Sequence, residues 1–431
     1  MERDVLIVIC LQFVFSCGVS FRAVPKILKV ISSFFCQNKT RKIPHFTTVI
    51  RWSLKTGLSL LKKAVSCKTQ EWICIADHTI QVGTKKALVV LKVLPEKLKS
   101  ERALTLSDVT VVALAIKDKW NGRIVQQVIE SVIEKIGHPI QFVIDGGSDL
   151  KKGVQDTLGN LGKNVKVTYD LTHFLAKLLK RKYENNGIFK EINKLISETR
   201  RDLLQTSLAF LIPPPERKKS RFLNLGATAK WIEKMLWVLS NKQFDGRVEG
   251  CLSWMRERWD DLTYFCQDIK IVFKIQEKLK NRGLNDSSYA EVLTLIGQFL
   301  DCEMKSAILE YLKEEFEYYK GESYQGLLTS DIIESLFGKF KYIAKSHSMS
   351  EINKLTLALP CICGSITPEL IGEIKNDVTT KDLDNWINDE IGQTLMGKRR
   401  SFFCEGNSLD CGSGQESAGT ALLGKAQNAT P

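Results

Sequence analysis

The sequence predicts an α/β protein, a mixed five-stranded sheet with flanking helices, followed by a long stretch that is helical only. Three observations point there. Five short apolar runs lie between residues 71 and 170, three in succession and the last two each reached through a helical pattern. Two of the runs end in an aspartate, Asp145 and Asp170, with His173 three residues beyond the second. Past residue 174, strand-type alternation has no sustained example.

The section up to residue 69 reads as helical. Residues 5–19 (VLIVICLQFVFSCGV) are apolar throughout but fall short of the ~20 residues a spanning helix needs. They follow Glu2, Arg3 and Asp4, which is no positively charged leader. A buried helix is therefore expected, and no membrane segment. Residues 20–35 are apolar at helical spacing, with Ser20 placed as an N-cap and Pro25 near the start where it does least harm. A basic turn (Gln37 to Pro44) leads to a further helix from His45 to Lys63. Helix, short basic turn and helix give the outline of a helix-turn-helix. In that arrangement Thr47, Thr48, Arg51 and Lys55 would face DNA; the alternative is a small helical bundle with solvated charges.

Residues 71–82 (EWICIADHTIQV) are apolar on both faces, as a central strand should be. Residues 85–93 and 107–117 follow as strands joined by short polar turns, a meander. Ile124, Val125, Val128, Ile129, Val132, Ile133 and Ile136 then recur at helical spacing before Gly137. A strand returns at 140–145, a short helix starts near Asp149, and 165–170 is the fifth strand. Three strands, helix, strand, helix, strand is the order of a ribonuclease-H-like fold. Residues 174–330 read as an all-α insertion broken at Pro213–Pro215, and a helix opens near Asp331. From about Ser401 to the end the chain is small and polar without periodicity, the composition of a disordered tail.

The composition is globular, with 44% hydrophobic and 26% charged residues. The excess of 62 Lys+Arg over 49 Asp+Glu, a net +13, favours a polyanionic partner. The 12 cysteines form no CxxC pair, which argues against a zinc ribbon or disulfide framework and for reduced thiols in a cytosolic setting. The sequons at Asn38 and Asn428 carry no weight without a secretory signal.

Asp77 lies inside an otherwise apolar strand, where an ionised carboxylate needs a partner, a metal or water. Asp145 ends the strand expected beside it, although Gly146, Gly147 and Ser148 would make a plain turn in any case. Two carboxylates on adjacent strands repel unless a cation holds both. Magnesium or manganese, hard ions that prefer oxygen, suits them. The expected third acid is Glu334, on a helix whose register Ile333, Leu336, Phe337 and Phe340 fix. Lys341, about two turns on, shares its face and would be aimed at phosphate, with Gly338 keeping that face low. Against this, Asp331-x-x-Glu334 has the form of a capping box.

Asp77, Asp145, Asp170-Leu-Thr-His173 and the stretch IESLFGKFK around Glu334, in this order and spacing, resemble the DDE transposases of bacterial insertion sequences. The likeness is greatest to the group, shared with mutator-like and hAT-like elements, that carries a Cys/Asp-x-x-His signature and an all-helical insertion before the final Glu. The resemblance covers roughly residues 70–400. It implies that Asp77, Asp145 and Glu334 hold two Mg²⁺ or Mn²⁺ ions for strand cleavage and strand transfer, with no covalent protein–DNA intermediate. Asp170 and His173 would brace the site. Trp231, one of several tryptophans in the insertion, would stack on an unpaired base, although aromatics at helical spacing are more commonly core. Double-stranded DNA (mobile-element ends and target), homo-oligomeric assembly on that DNA and a bacterial, nucleoid-associated cytoplasmic location follow from the same resemblance. A structure-selective nuclease on this fold and a catalytically silent DNA-binding protein from a decayed element are the alternatives.

Overall fold

The computed structural model describes residues 3–35, 43–66, 68, 71–80, 83–162, 165–215, 225–241, 246–300, 302–321, 324–344 and 351–404. Three helices come first: α1 (Arg3–Phe15), α2 (Val24–Phe35) and α3 (Phe46–Ala64). The sheet is built from β1 (Ile73–Ile80), β2 (Lys86–Val93), β3 (Val109–Lys117), β4 (Gln141–Ile144) and β5 (Lys166–Tyr169), in spatial order β3-β2-β1-β4-β5. β1, β2 and β3 pair antiparallel as the expected meander, while β4 and β5 run parallel to β1. Each parallel return needs a crossover, made by α4 (Gly122–Ile136) and α5 (Ser148–Leu161). α4 starts where Asn121 accepts the Ile124 N–H at 3.0 Å and ends at Gly137. This is the ribonuclease-H-like mixed sheet with flanking helices.

Side chains alternate across the pleat, and here each set meets its own core. Trp72, Cys74, Ala76, Phe142 and Ile144 face α4 and α5. Ile73, Ile75, Val89 and Val143 face the opposite way, into a core shared with α1, α3 and the helix that carries Glu334. α1, apolar all round, is buried in that second core through Ile7, Cys10, Leu11 and Val14. Among the described residues no helix is long and apolar enough to cross a membrane.

Sharing that core changes the reading of the amino-terminal section. A boundary near residue 69 was expected, yet α3 buries Leu54 and Leu58 in a core shared with Leu357, Leu359 and Cys361 of the carboxy-terminal region. A Cβ on Gly57 would lie 1.8 Å from the Leu357 carbonyl oxygen, so this contact is at backbone distance. α3 is thus one wall of the sheet layer, packed against the carboxy-terminal region. The turn of the expected helix-turn-helix falls largely on 36–42, outside the described residues, as do both sequons.

The chain then runs through α6 (Leu171–Tyr183), α7 (Gly187–Leu203), α8 (Leu225–Asn241), α9 (Gly246–Leu252), α10 (Trp254–Glu257), α11 (Trp259–Arg282), α12 (Asp286–Ile296) and α13 (Cys302–Tyr319). These helices enclose a hydrophobic core of their own. The chain re-enters the sheet layer at α14 (Asp331–Ile343), followed by α15 (Leu359–Cys363), α16 (Pro368–Asp377), α17 (Thr380–Trp386) and α18 (Leu395–Cys404). α18 carries helix through Ser401 to Cys404, later than the tail expected from Ser401; residues 405–431 lie outside the described residues.

The candidate active site

The strand register makes the acidic row. Ala76 pairs with Ile144 and Ile144 with Tyr169. The next residues of three parallel neighbours, Asp77, Asp145 and Asp170, therefore come abreast on strands about 4.8 Å apart. By the pleat they belong with Ile75 and Val143, on the face that packs against α14. The Asp170 N–H donates to the Ile144 carbonyl at 3.0 Å and closes the row at β5. This is the carboxyl edge of the parallel strands, where open α/β sheets place their ligands.

Burial is the first cause lifting the Asp77 carboxyl to about 7, and repulsion from Asp145 and then Glu334 adds to it. The His78 N–H, donating to Asp77 Oδ1 at 2.6 Å, works the other way. Asp145 Oδ1 accepts the Gly147 N–H at 2.8 Å. Gly146 takes φ +78°, and the Tyr169 ring occupies the space its Cβ would need. Tyr169 donates its hydroxyl to the Gly146 carbonyl at 3.2 Å and receives the Lys177 ammonium at 3.0 Å. The loop carrying Asp145 is thereby fixed from β5 and α6, through Tyr169 and Lys177, neither of which the sequence reading singled out. The adjacency of Tyr169 to Asp170 was the available signal.

Asp170 is fully buried and makes the junction. Its Oδ1 accepts the His173 N–H at 2.7 Å and lies 3.1 Å from His173 Nδ1. Its Oδ2 accepts the Ser330 N–H and, at 2.7 Å, the Ser330 hydroxyl. Burial pushes the Asp170 carboxyl upward, but these bonds from His173 and Ser330 outweigh it and hold the group below the usual range. The same hydrogen bond raises His173 to about 9, so its imidazolium persists at neutral pH. His173 Nε2 points to Glu334 Oε1 at 3.8 Å. Glu334 itself is pushed upward, first by burial, with His173 opposing.

The capping alternative for Glu334 is not formed. Ser330 is the N-cap of α14, and it makes no side-chain cap bond. Asp331, one residue in, accepts the Thr172 hydroxyl at 2.9 Å and pairs with Lys280 at 2.8 Å. Glu334 and Lys341 both lie on the exposed face of α14, and a Cβ on Gly338 would meet open space. Glu315, on α13, is buried against the β5 residues Lys166 (3.1 Å) and Thr168 (hydroxyl, 2.9 Å) and does not join the acidic row.

Other expected residues lie elsewhere. Trp231 is a correction: it is 8% exposed and its indole N–H donates to the Leu211 carbonyl at 2.8 Å, so it is core and offers no face to a base. Thr47 and Arg51 are exposed on α3, whereas Thr48 and Lys55 are half-buried. Thr47 Oγ1 is 2.9 Å from His45 Nδ1. Lys55 lies within electrostatic reach of Asp382, whose carboxyl Thr379 already holds below its usual range.

The all-oxygen donor set suits a hard cation, and two abreast carboxylates, one of them driven toward its neutral form, are what a cation would relieve. As they stand, however, no three His, Cys, Asp or Glu side chains among the described residues are close enough together to hold a metal ion. Glu334 faces His173 here instead of closing on the aspartates.

No family model matches the chain, and no curated protein sequence does. Among solved structures it is similar to one described as the Drosophila P element transposase strand transfer complex, at 13% identity and a TM-score of 0.41. That match covers 86% of this chain and 93% of the other. A likeness so distant carries no argument about activity, and the reading below rests on the residues.

Proposed function

We propose that this chain is a DDE-type transposase, a phosphoryl-transfer enzyme that cuts and joins DNA at the ends of a mobile element. The observation that supports it best is the alignment of Asp77 and Asp145 at the carboxyl edge of the sheet, with Glu334 brought to the same edge on α14 and a charged His173 against it. Asp77, Asp145 and Glu334 would hold two Mg²⁺ or Mn²⁺ ions, which would activate the attacking hydroxyl and neutralise the departing oxygen in an in-line displacement. Asp170 holds the His173 imidazolium, which keeps the Glu334 carboxylate at the edge until the aspartates need it. Tyr169 and Lys177 keep the Asp145 loop in place. Lys341 presents a cation to the DNA backbone two turns along α14, and Arg51 with Thr47 offers a further contact. The partner is double-stranded DNA, and assembly on two ends calls for more than one copy.

The test uses the purified chain on duplex DNA bearing the inverted repeats that flank its gene. Metal-dependent cleavage that Asp145→Asn abolishes, with joined products, supports the reading. Cleavage without joining favours a structure-selective nuclease. Tight binding to the repeats with no cleavage by the parent in Mg²⁺ or Mn²⁺ favours a silent DNA-binding protein and overturns the proposal.

A further inference from the structure

We propose that the groove between α8 and α11 is a channel for single-stranded DNA leading to the carboxylate edge, an assignment that rests on the reading of this chain as acting on DNA. The groove encloses about 740 Å³. Four lysines line it, Lys230, Lys270, Lys274 and Lys280, against two glutamates. Lys270 is paired with Glu233 at 3.5 Å and Lys280 with Asp331. Lys230 and Lys274 are exposed and make no ion pair among the described residues. The half-buried Phe273 ring, next to Lys274 in the sequence, lines the same groove and rests on α8 at Gly226, where a Cβ would come within 2.9 Å.

Cations beside an aromatic ring are the elements by which sequence-tolerant grooves hold one strand. A furrow of this volume on the packed helix pair takes a short length of one backbone, whereas a duplex lies across its rims. The groove is also continuous with the site. Gln276, on its wall, donates to the Thr172 hydroxyl at 2.9 Å, next to His173. Lys280, at its end, reaches Asp331, one turn before Glu334. A strand lying along Lys230 and Lys274 is therefore delivered to the rim of the catalytic edge.

The experiment measures binding of the full-length chain to a short fluorescent strand and to its duplex, in EDTA so that no cleavage competes. Three double variants are compared with the parent: Lys230→Glu with Lys274→Glu, Lys230→Arg with Lys274→Arg, and Lys190→Glu with Lys313→Glu on other exposed surfaces. The groove reversal should cost about tenfold in single-strand affinity and flatten the salt slope by about 1.4, near 0.7 per phosphate contact. Duplex affinity should change less than about threefold, the arginine pair should bind like the parent, and the distant reversal should be near neutral. Loss equal on duplex and single strand, or equal in the distant reversal, overturns the channel. If the parent cleaves DNA and the groove reversal still binds the strand like the parent, the channel falls while the proposed function stands. If the parent neither binds nor cleaves DNA, the proposed function falls and the channel with it.

Discussion

Asp77→Asn should make the metal-free protein more stable, an unusual outcome for a change in the middle of a sheet. Asp77 is raised from 3.8 to about 7 in the folded chain, so ionising it there works against the fold. The sign follows from linkage. A raised group contributes fully below its unfolded value, and the contribution is lost as pH rises through about 7. At about 1.36 kcal/mol per unit the shift sets an upper limit of roughly 4 kcal/mol. Solvent reaching a half-buried carboxylate brings the expected gain down to about 1–2 kcal/mol. The amide oxygen still accepts the His78 N–H, so no bond is forfeited. With about 2.1 cal/mol/K of unfolding entropy per residue, each kcal/mol moves the melting point of so long a chain by only about 1 °C. Urea midpoints are therefore the better assay. In EDTA the variant should match the parent near pH 4 and exceed it at pH 8. Mg²⁺ should then stabilise the parent and leave the variant unmoved. A variant no more stable than the parent at pH 8, or a difference independent of pH, would refute the burial of the Asp77 carboxyl beside Asp145.

Asp145→Asn and Glu334→Gln should each abolish cleavage in Mg²⁺ while still binding DNA. Because Glu334 makes no cap bond, the Gln variant should keep the parent's urea midpoint; normal cleavage by it would show that another acid serves. Asp170→Asn should move stability the other way, losing roughly 3 kcal/mol, since the amide turns a donor toward Ser330 or His173; an unchanged midpoint would refute the junction. His173→Gln should destabilise at pH 6, and the gap should close as pH rises from about 6.5 through about 9, because the raised imidazolium contributes only while protonated; a pH-independent gap would count against the Asp170 pair. A fragment ending at residue 69 should fail to fold, since it would expose the face of α3 that packs on Leu357, and a cooperative circular-dichroism melt from it would show an independent domain after all.

The sheet and its order were legible because strands and helices differ in period, and the β-branched runs from 71 to 170 leave little ambiguity. The start of α14 was legible too, from its apolar stripe. The identity of the acids could be narrowed but not fixed. Asp77 and Asp145 end up abreast because Ala76 pairs with Ile144, and register is a long-range property that no local window contains. Trp231 shows the limit from the other side: periodicity places an indole on a helix, and only packing decides whether its face meets solvent or Leu211.

By itself, then, the sequence determined the elements, their order and the presence of acidic residues at the strand ends, since those depend on local period and composition. Only the tertiary structure decided where Glu334 goes. After the helical insertion the chain is laid back along the sheet by Gln141, which donates to the Leu327 carbonyl at 2.7 Å, by the Leu171 N–H on Leu328, and by Asp170 on Ser330. These bonds join groups more than 150 residues apart, and buried donors and acceptors must find such partners. That requirement brings α14 to the edge where Asp77 and Asp145 already stand.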